Sequence, residues 1–210
     1  MSQPVNQTVK CPQCGADIPF TLWRSINTDV PNAIDDIISG KLFAVECEKC
    51  GHKTHVNYPM LFNDMVHGVM IYNTVPEQVE ETKQALDAMK KVLDMRGRIV
   101  TDQSTLREKT AIFNAGLDDR VTEILKLVVM AQLQGQLAGK KVIGVYFVPG
   151  EEPKFEIAYD GGSGYVPVTM EMYNGIAQQF RETFAADDSE YRIGQDWAIA
   201  FLSDPRNQLQ

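Results

Sequence analysis

The chain has 210 residues, is 44% hydrophobic and 23% charged, and carries a formal net charge of −8. That is enough for one large domain or two small ones with a real core. No apolar run reaches the roughly 20 residues that span a bilayer, and an acidic chain lacks the basic footprint behind most non-specific nucleic-acid affinity. Membrane partners are therefore not expected and nucleic acid is disfavoured.

The opening stretch MSQPVNQTVK has no apolar segment of the kind a secretory signal carries, so the expected location is cytoplasmic. In that compartment paired cysteines serve as metal ligands more often than as disulfides. All four cysteines lie in two turns, Cys11-Pro-Gln-Cys14-Gly15 and Cys47-Glu-Lys-Cys50-Gly51. A Cys-x-x-Cys turn points two sulfurs at one ion, and a glycine after it takes the positive φ that lets the chain turn away. Two such turns supply the four thiolates of a closed structural zinc site, with one Zn²⁺ per chain. Thiol–disulfide chemistry is weaker, because it calls for an isolated CxxC beside a βαβ pattern, and iron or a regulatory metal is the remaining alternative. Between Cys14 and Cys47 lie 32 residues, more than a simple ribbon needs. The insertion reads as a strand (IPFTLWRSINT), a short helix (VPNAIDDIISG, with Pro31 early and Gly40 as the stop) and a second strand (KLFAVEC). HKTHVNYPMLF would continue the ribbon. His52 and His55 read as solvated or hydrogen-bonding residues beside a filled site, and His67 as a core or interface residue in an apolar run.

MVHGVMIYN reads as a strand. TVPEQVEETKQALDAMKKVL reads as a helix, with Thr74 and Glu77 as a capping box and Val79, Leu86, Met89 and Leu93 on one face. That face suits packing on its own domain better than a partner. An extended piece follows, then a helix from about Ser104, which Asn114 and Gly116 can end. LDDRVTEILKLVVMAQLQGQL is the longest helical pattern. Leu117, Val121, Ile124, Leu125 and Val128 line one face and Leu127, Val129, Met130 and Leu133 widen it, so it is buried on more than one side. Such a helix serves as a domain's centre or as half of a two-fold interface, which favours a homodimer. Asp118, Asp119 and Arg120 tempt a catalytic reading, but acidic residues at a helix start offset the macrodipole, and adjacent side chains diverge. In the last third KVIGVYFVPG and KFEIAYDGG form an antiparallel hairpin, and YVPVTM adds a strand. A helix at about 171–184 aligns Met172, Ile176, Phe180 and Phe184, and a final helix holds Trp197 and Phe201. DGGSG is a hairpin turn, since it lacks the lysine and the strand-to-helix setting of a phosphate loop.

The blocks KCPQCG, LFAVECEKCG, YPMLFNDM and LREKTAIFNAGLDDRVTEILK, in that order, resemble the bacterial CpXC domain family over roughly residues 9–130. YPMLFND and IFNAGLDDR carry more of the resemblance than the generic cysteine turns. The second turn lacks the proline of the family name, which leaves the ligand set intact because proline is not a ligand. The resemblance implies a zinc-ribbon-like N-terminal module and no established activity, and it does not extend to residues 141–210.

The expectation is an α+β protein: a zinc ribbon with a helical insertion over 1–75, a helical segment over 76–140, and a small α/β part with an antiparallel hairpin over 141–210. Its expected role is a zinc-stabilised binding or assembly module, homodimeric or with a protein partner, holding metal at Cys11, Cys14, Cys47 and Cys50 and having no catalytic residues. Two alternatives are weighed. One is a hydrolase or transferase with a site between the ribbon and the C-terminal part, gathering Asp118, Asp119, Arg120 and His67. The other is a nucleic-acid-binding ribbon using Lys10, Arg24, Lys41, Lys49 and Lys53.

Overall fold

A computed structural model describes residues 2–208. Among them the chain forms seven α-helices and three sheets, a mixed α+β architecture. It divides into two compact units, one ending at Thr110 and the other beginning at Ala111. This division differs from the breaks expected after 75 and 140, and sheet pairing supplies the reason.

In the first unit, β1 (Gln3–Lys10) and β2 (Asp17–Asn27) form an antiparallel hairpin, with Lys10 opposite Asp17. Alternation along β2 buries Ile18, Phe20 and Ile26. Helix α1 (Ala33–Ser39) buries Ala33 and Ile37 and stops at Gly40, whose φ of 79° is the left-handed conformation that ends helices. A 3₁₀ turn leads into β3 (Ala44–Glu46), shorter than the strand expected from KLFAVEC, which pairs antiparallel with β4 (Lys53–His55) in a second hairpin. The chain then returns to the first sheet. β5 (Met60–Asp64) lies parallel to β2, β6 (Val69–Asn73) antiparallel to β5, and β7 (Arg96–Val100) parallel to β6. The crossover from β6 to β7 runs through α2 (Val79–Lys90), so both sides of residue 75 belong to one βαβ unit.

Leu86 of α2 is fully buried, as expected of the apolar face, whereas Leu93 past its end is exposed. The capping box does not form. Pro76 opens a 3₁₀ turn, the helix starts later, and no side chain caps it. The Thr74 hydroxyl instead accepts a hydrogen bond from the Thr82 hydroxyl (3.3 Å). Helix α3 (Gln103–Asn114) is capped by Asp102, which accepts from the Thr105 amide (2.8 Å) and hydroxyl (2.7 Å). Gly116 follows it with φ 69°.

In the second unit, α4 (Asp119–Gln132) packs against α5 (Met170–Gln179) and α7 (Gln195–Ser203). It is buried on several sides, charged residues included: Asp119, Arg120, Glu123 and Lys126 join Val121, Ile124, Leu125 and Val129. β8 (Val142–Val148), β9 (Lys154–Tyr159) and β10 (Gly162–Pro167) form an antiparallel meander. The DGGSG segment turns on Asp160 and Gly161 alone, with Gly161 at φ 90° and Gly162 already paired to Tyr159. The helix expected over 171–184 is two, because α5 ends at Phe180 and α6 (Arg181–Ala186) restarts. Phe180 packs edge-on against Phe201 (5.1 Å), in a cluster with Phe184 and Trp197. No helix among the described residues is long and apolar enough to cross a membrane.

Candidate metal centre

Each cysteine pair sits at the tip of a hairpin. Cys11 follows β1, and Ala16 precedes β2; Cys47 follows β3, and His52 precedes β4. The two tips close with one hydrogen-bond pattern. In the first, the Cys11 amide donates to the Ala16 carbonyl (2.8 Å) and the Gly15 amide to the Cys11 carbonyl (2.9 Å). In the second, the Cys47 amide donates to the His52 carbonyl (2.9 Å) and the Gly51 amide to the Cys47 carbonyl (2.7 Å). Gly15 and Gly51 adopt φ of 70° and 71°, the positive values expected of them. An ion pair braces the base of each tip: Lys10–Asp17 (2.6 Å) and Lys53–Glu46 (3.5 Å).

The two tips bring all four Sγ atoms within 4.8 Å of one another. Cys11–Cys50 and Cys14–Cys47 are each 3.6 Å apart. A tetrahedron with metal–sulfur bonds of about 2.3 Å has edges of about 3.8 Å, so the cluster has the dimensions a single ion requires. The sulfurs are too far apart for disulfides, whose S–S bond is about 2.05 Å, and all four thiols are free. Cys11 and Cys47 are 2% and 1% exposed and pack with Ile18, flanked by Val9, Ala16 and Val45. These side chains form an apolar collar on one side of the cluster, while Cys50 is exposed.

Burial pushes the Cys11 thiol up, but the amides of Cys14 and Gln13 and the thiols of Cys14 and Cys50 outweigh it and hold Cys11 at about 6. At Cys50 the His52 amide pulls down, while burial and the thiols of Cys14, Cys11 and Cys47 push the group up to about 12. One sulfur ionises readily with its neighbours donating to it, and another resists because a further negative charge in so small a volume is repelled. A cation removes that conflict.

His52 and His55 do not enter the thiol cluster. His67 is not a core residue. It lies in the β5–β6 turn with its side chain 25% exposed, and its Nδ1 lies 2.6 Å from Asp64 Oδ2. Asp64 was not singled out in the sequence. It is 1% exposed, and its Oδ1 accepts from the amides of Val66 and His67 (both 3.1 Å). The signal was present in Asn-Asp-Met-Val-His-Gly, an aspartate able to close a turn on the amides two and three residues on. Asp118 caps α4, accepting from the Arg120 amide (2.9 Å), and its carboxylate binds the Arg120 guanidinium at 3.0 and 2.7 Å. Arg120 also donates to the carbonyls of Phe184 (3.1 Å) and Asp187 (3.0 Å) and lies over the Phe184 ring. These bonds tie α4 to α6 at Phe184 and to Asp187 just after it, a structural role of the kind expected of a helix start.

Two hairpin tips presenting four thiols to one point define a tetracysteine cluster with the dimensions of a metal site. The chain belongs to the CpXC family: the family model described as CpXC protein matches residues 9–126, more than half of its length. The match takes in both cysteine tips, the whole β2–β5–β6–β7 run and α3, and ends inside α4. No curated protein and no solved structure matches the chain.

Proposed function

We propose that Cys11, Cys14, Cys47 and Cys50 hold one structural zinc ion and that the protein is a zinc-stabilised binding or assembly module, homodimeric, without catalytic activity of its own. The observation that carries this reading is the convergence of four sulfurs from two matching tips within 4.8 Å. Four thiolates fill a tetrahedral zinc and leave no position for water or substrate, which suits a structural ion and not a hydrolytic one. On this reading the β1–β2 and β3–β4 hairpins are the two halves of a zinc ribbon, and the stretch around α1 is its insertion. The zinc fixes the second hairpin to the first, which is itself continuous with the sheet through β2.

The test is metal analysis of purified protein with thermal melts before and after a strong chelator. One zinc per chain, colourless protein and a lower Tm on stripping are expected, since site formation and folding are coupled. Metal-free protein with a reversible disulfide, an iron-coloured protein, or metal loss without change in the melt would overturn it.

A further inference from the structure

The two larger sheets have four edge strands, β1 and β7 in one and β8 and β10 in the other. An edge strand directs a row of N–H and C=O groups away from its sheet, and proteins guard such rows with charge, proline or short length. β1 carries Pro4 and Lys10, β7 carries Arg96 and Arg98, and β10 carries Pro167 and two glycines. β8 carries no charge and no proline, and its one guard is the bulge between Val142 and Gly144. Its seven residues, VIGVYFV, are uncharged, rich in β-branched and aromatic side chains, and pair with β9 alone. Ile143, bulged out of the ladder, is 66% exposed. An uncharged strand of this composition left open is an association site.

The flanks of β8 identify what covers it. Lys140 and Lys141 precede the strand, Glu151 and Glu152 follow it in the loop to β9, and all four are exposed. This order, two positive charges, an apolar strand, two negative charges, is self-complementary under antiparallel pairing. A second β8 running the opposite way aligns Val142 with Val148 of its partner and brings each lysine pair beside the other copy's glutamate pair. Parallel pairing would set lysines against lysines. Lys140 stands with its ammonium over the Tyr159 ring (4.1 Å), which holds it at this end of the sheet.

We infer that β8 is the interface of a two-fold homodimer, in which two three-stranded meanders join antiparallel, edge to edge, into one six-stranded sheet. This deepens the assembly reading above by placing its contact on β8, and away from α4, for which the sequence left a central helix or half of an interface open. It is independent of the metal, because the site lies in the other unit. Main-chain bonds across the edge supply the affinity, and the charged flanks supply direction and register.

The experiment is light scattering coupled to size exclusion on the full zinc-loaded chain over a range of concentrations, with folding checked by circular dichroism. The wild type is expected at twice the chain mass. K140E/K141E and E151K/E152K should each weaken the dimer by at least about tenfold, through like-charge contacts at both ends of the pairing. Combining the four reversals should restore wild-type association. A monomeric wild type, a dimer indifferent to both reversals, or a folded quadruple variant that stays monomeric would overturn the inference. The zinc reading would be unaffected, since metal content is measured separately.

Discussion

Replacing Gly51 by alanine isolates the contribution of one cysteine tip. An added Cβ at Gly51 meets no atom within 4 Å, and the same holds at Gly15. Steric clash is therefore absent and the cost is conformational, set by a φ of 71°. A non-glycine residue held in the left-handed region loses about 1–2 kcal/mol. The amide of Gly51 still donates to Cys47, so no hydrogen bond is lost. Because this conformation is needed for the tip to present both sulfurs, the same energy should appear as weakened zinc binding of about 5- to 30-fold. Gly15→Ala should match it, given the near-identical φ of 70°, and asparagine at either site should recover part of the loss. Competition with a chromophoric chelator, alongside urea unfolding of the zinc-loaded protein, reads both quantities. Wild-type affinity in both alanine variants, or a loss above about 3 kcal/mol in either, would refute the reasoning that these glycines act through backbone conformation alone.

Zinc affinity should rise with pH. Cys50, at about 12, holds its proton at neutrality and must release it to the metal, whereas Cys11, at about 6, is already largely ionised there. Below about pH 6 Cys11 also competes for a proton, so the slope of affinity against pH should steepen; a flat profile would count against thiolate ligation. Arg120→Ala should cost about 3 kcal/mol in urea unfolding, because it leaves the Phe184 and Asp187 carbonyls and the Asp118 carboxylate without this partner. Arg120→Lys should recover less than half, since an ammonium cannot reproduce the fork. Asp64→Ala should destabilise by about 1–3 kcal/mol through the orphaned Val66 and His67 amides, and Asp64→Asn by less; equal melts for both and wild type would show that the turn closes without this side chain.

Local chemistry was legible in the sequence. The cysteine tips depend on five-residue signatures, α1 and α3 on their terminal glycines, and the β8–β9 hairpin on alternation, all of which act within a few residues of chain. The failures have equally physical sources. Thr74 and Glu77 have capping-box spacing, but Pro76 shifts the helix start and Thr74 is drawn to Thr82. The apolar register over 171–184 is continuous, yet Phe180 ends α5 while packing on Phe201, a residue far along the chain. The parallel pairing of β2 with β5 and of β6 with β7 leaves no local trace, which is why sequence-based breaks and the observed division at Thr110 differ. Asp64 hid in an ordinary turn, and nothing local in the sequence marked Glu123 and Lys126 of α4 as buried.

The antiparallel start of the first sheet followed by a parallel addition has a consequence for the order of events during synthesis. All four thiols have been made once residue 50 is added, before any of β5, β6 or β7 exists. Joining Cys14 to Cys47 closes a stretch of 32 residues, at a chain-entropy cost of about 3 kcal/mol, which structural zinc binding of about 10–16 kcal/mol exceeds. A nascent chain that captures the ion at that stage presents β2 already paired on one side to β1 and open on the other. The rest of the sheet then grows outward from that edge in the order it is translated, β5, β6 and β7. The ion would then act as the first fixed point of assembly on the ribosome, and zinc-starved synthesis should leave β5 without a settled strand to join.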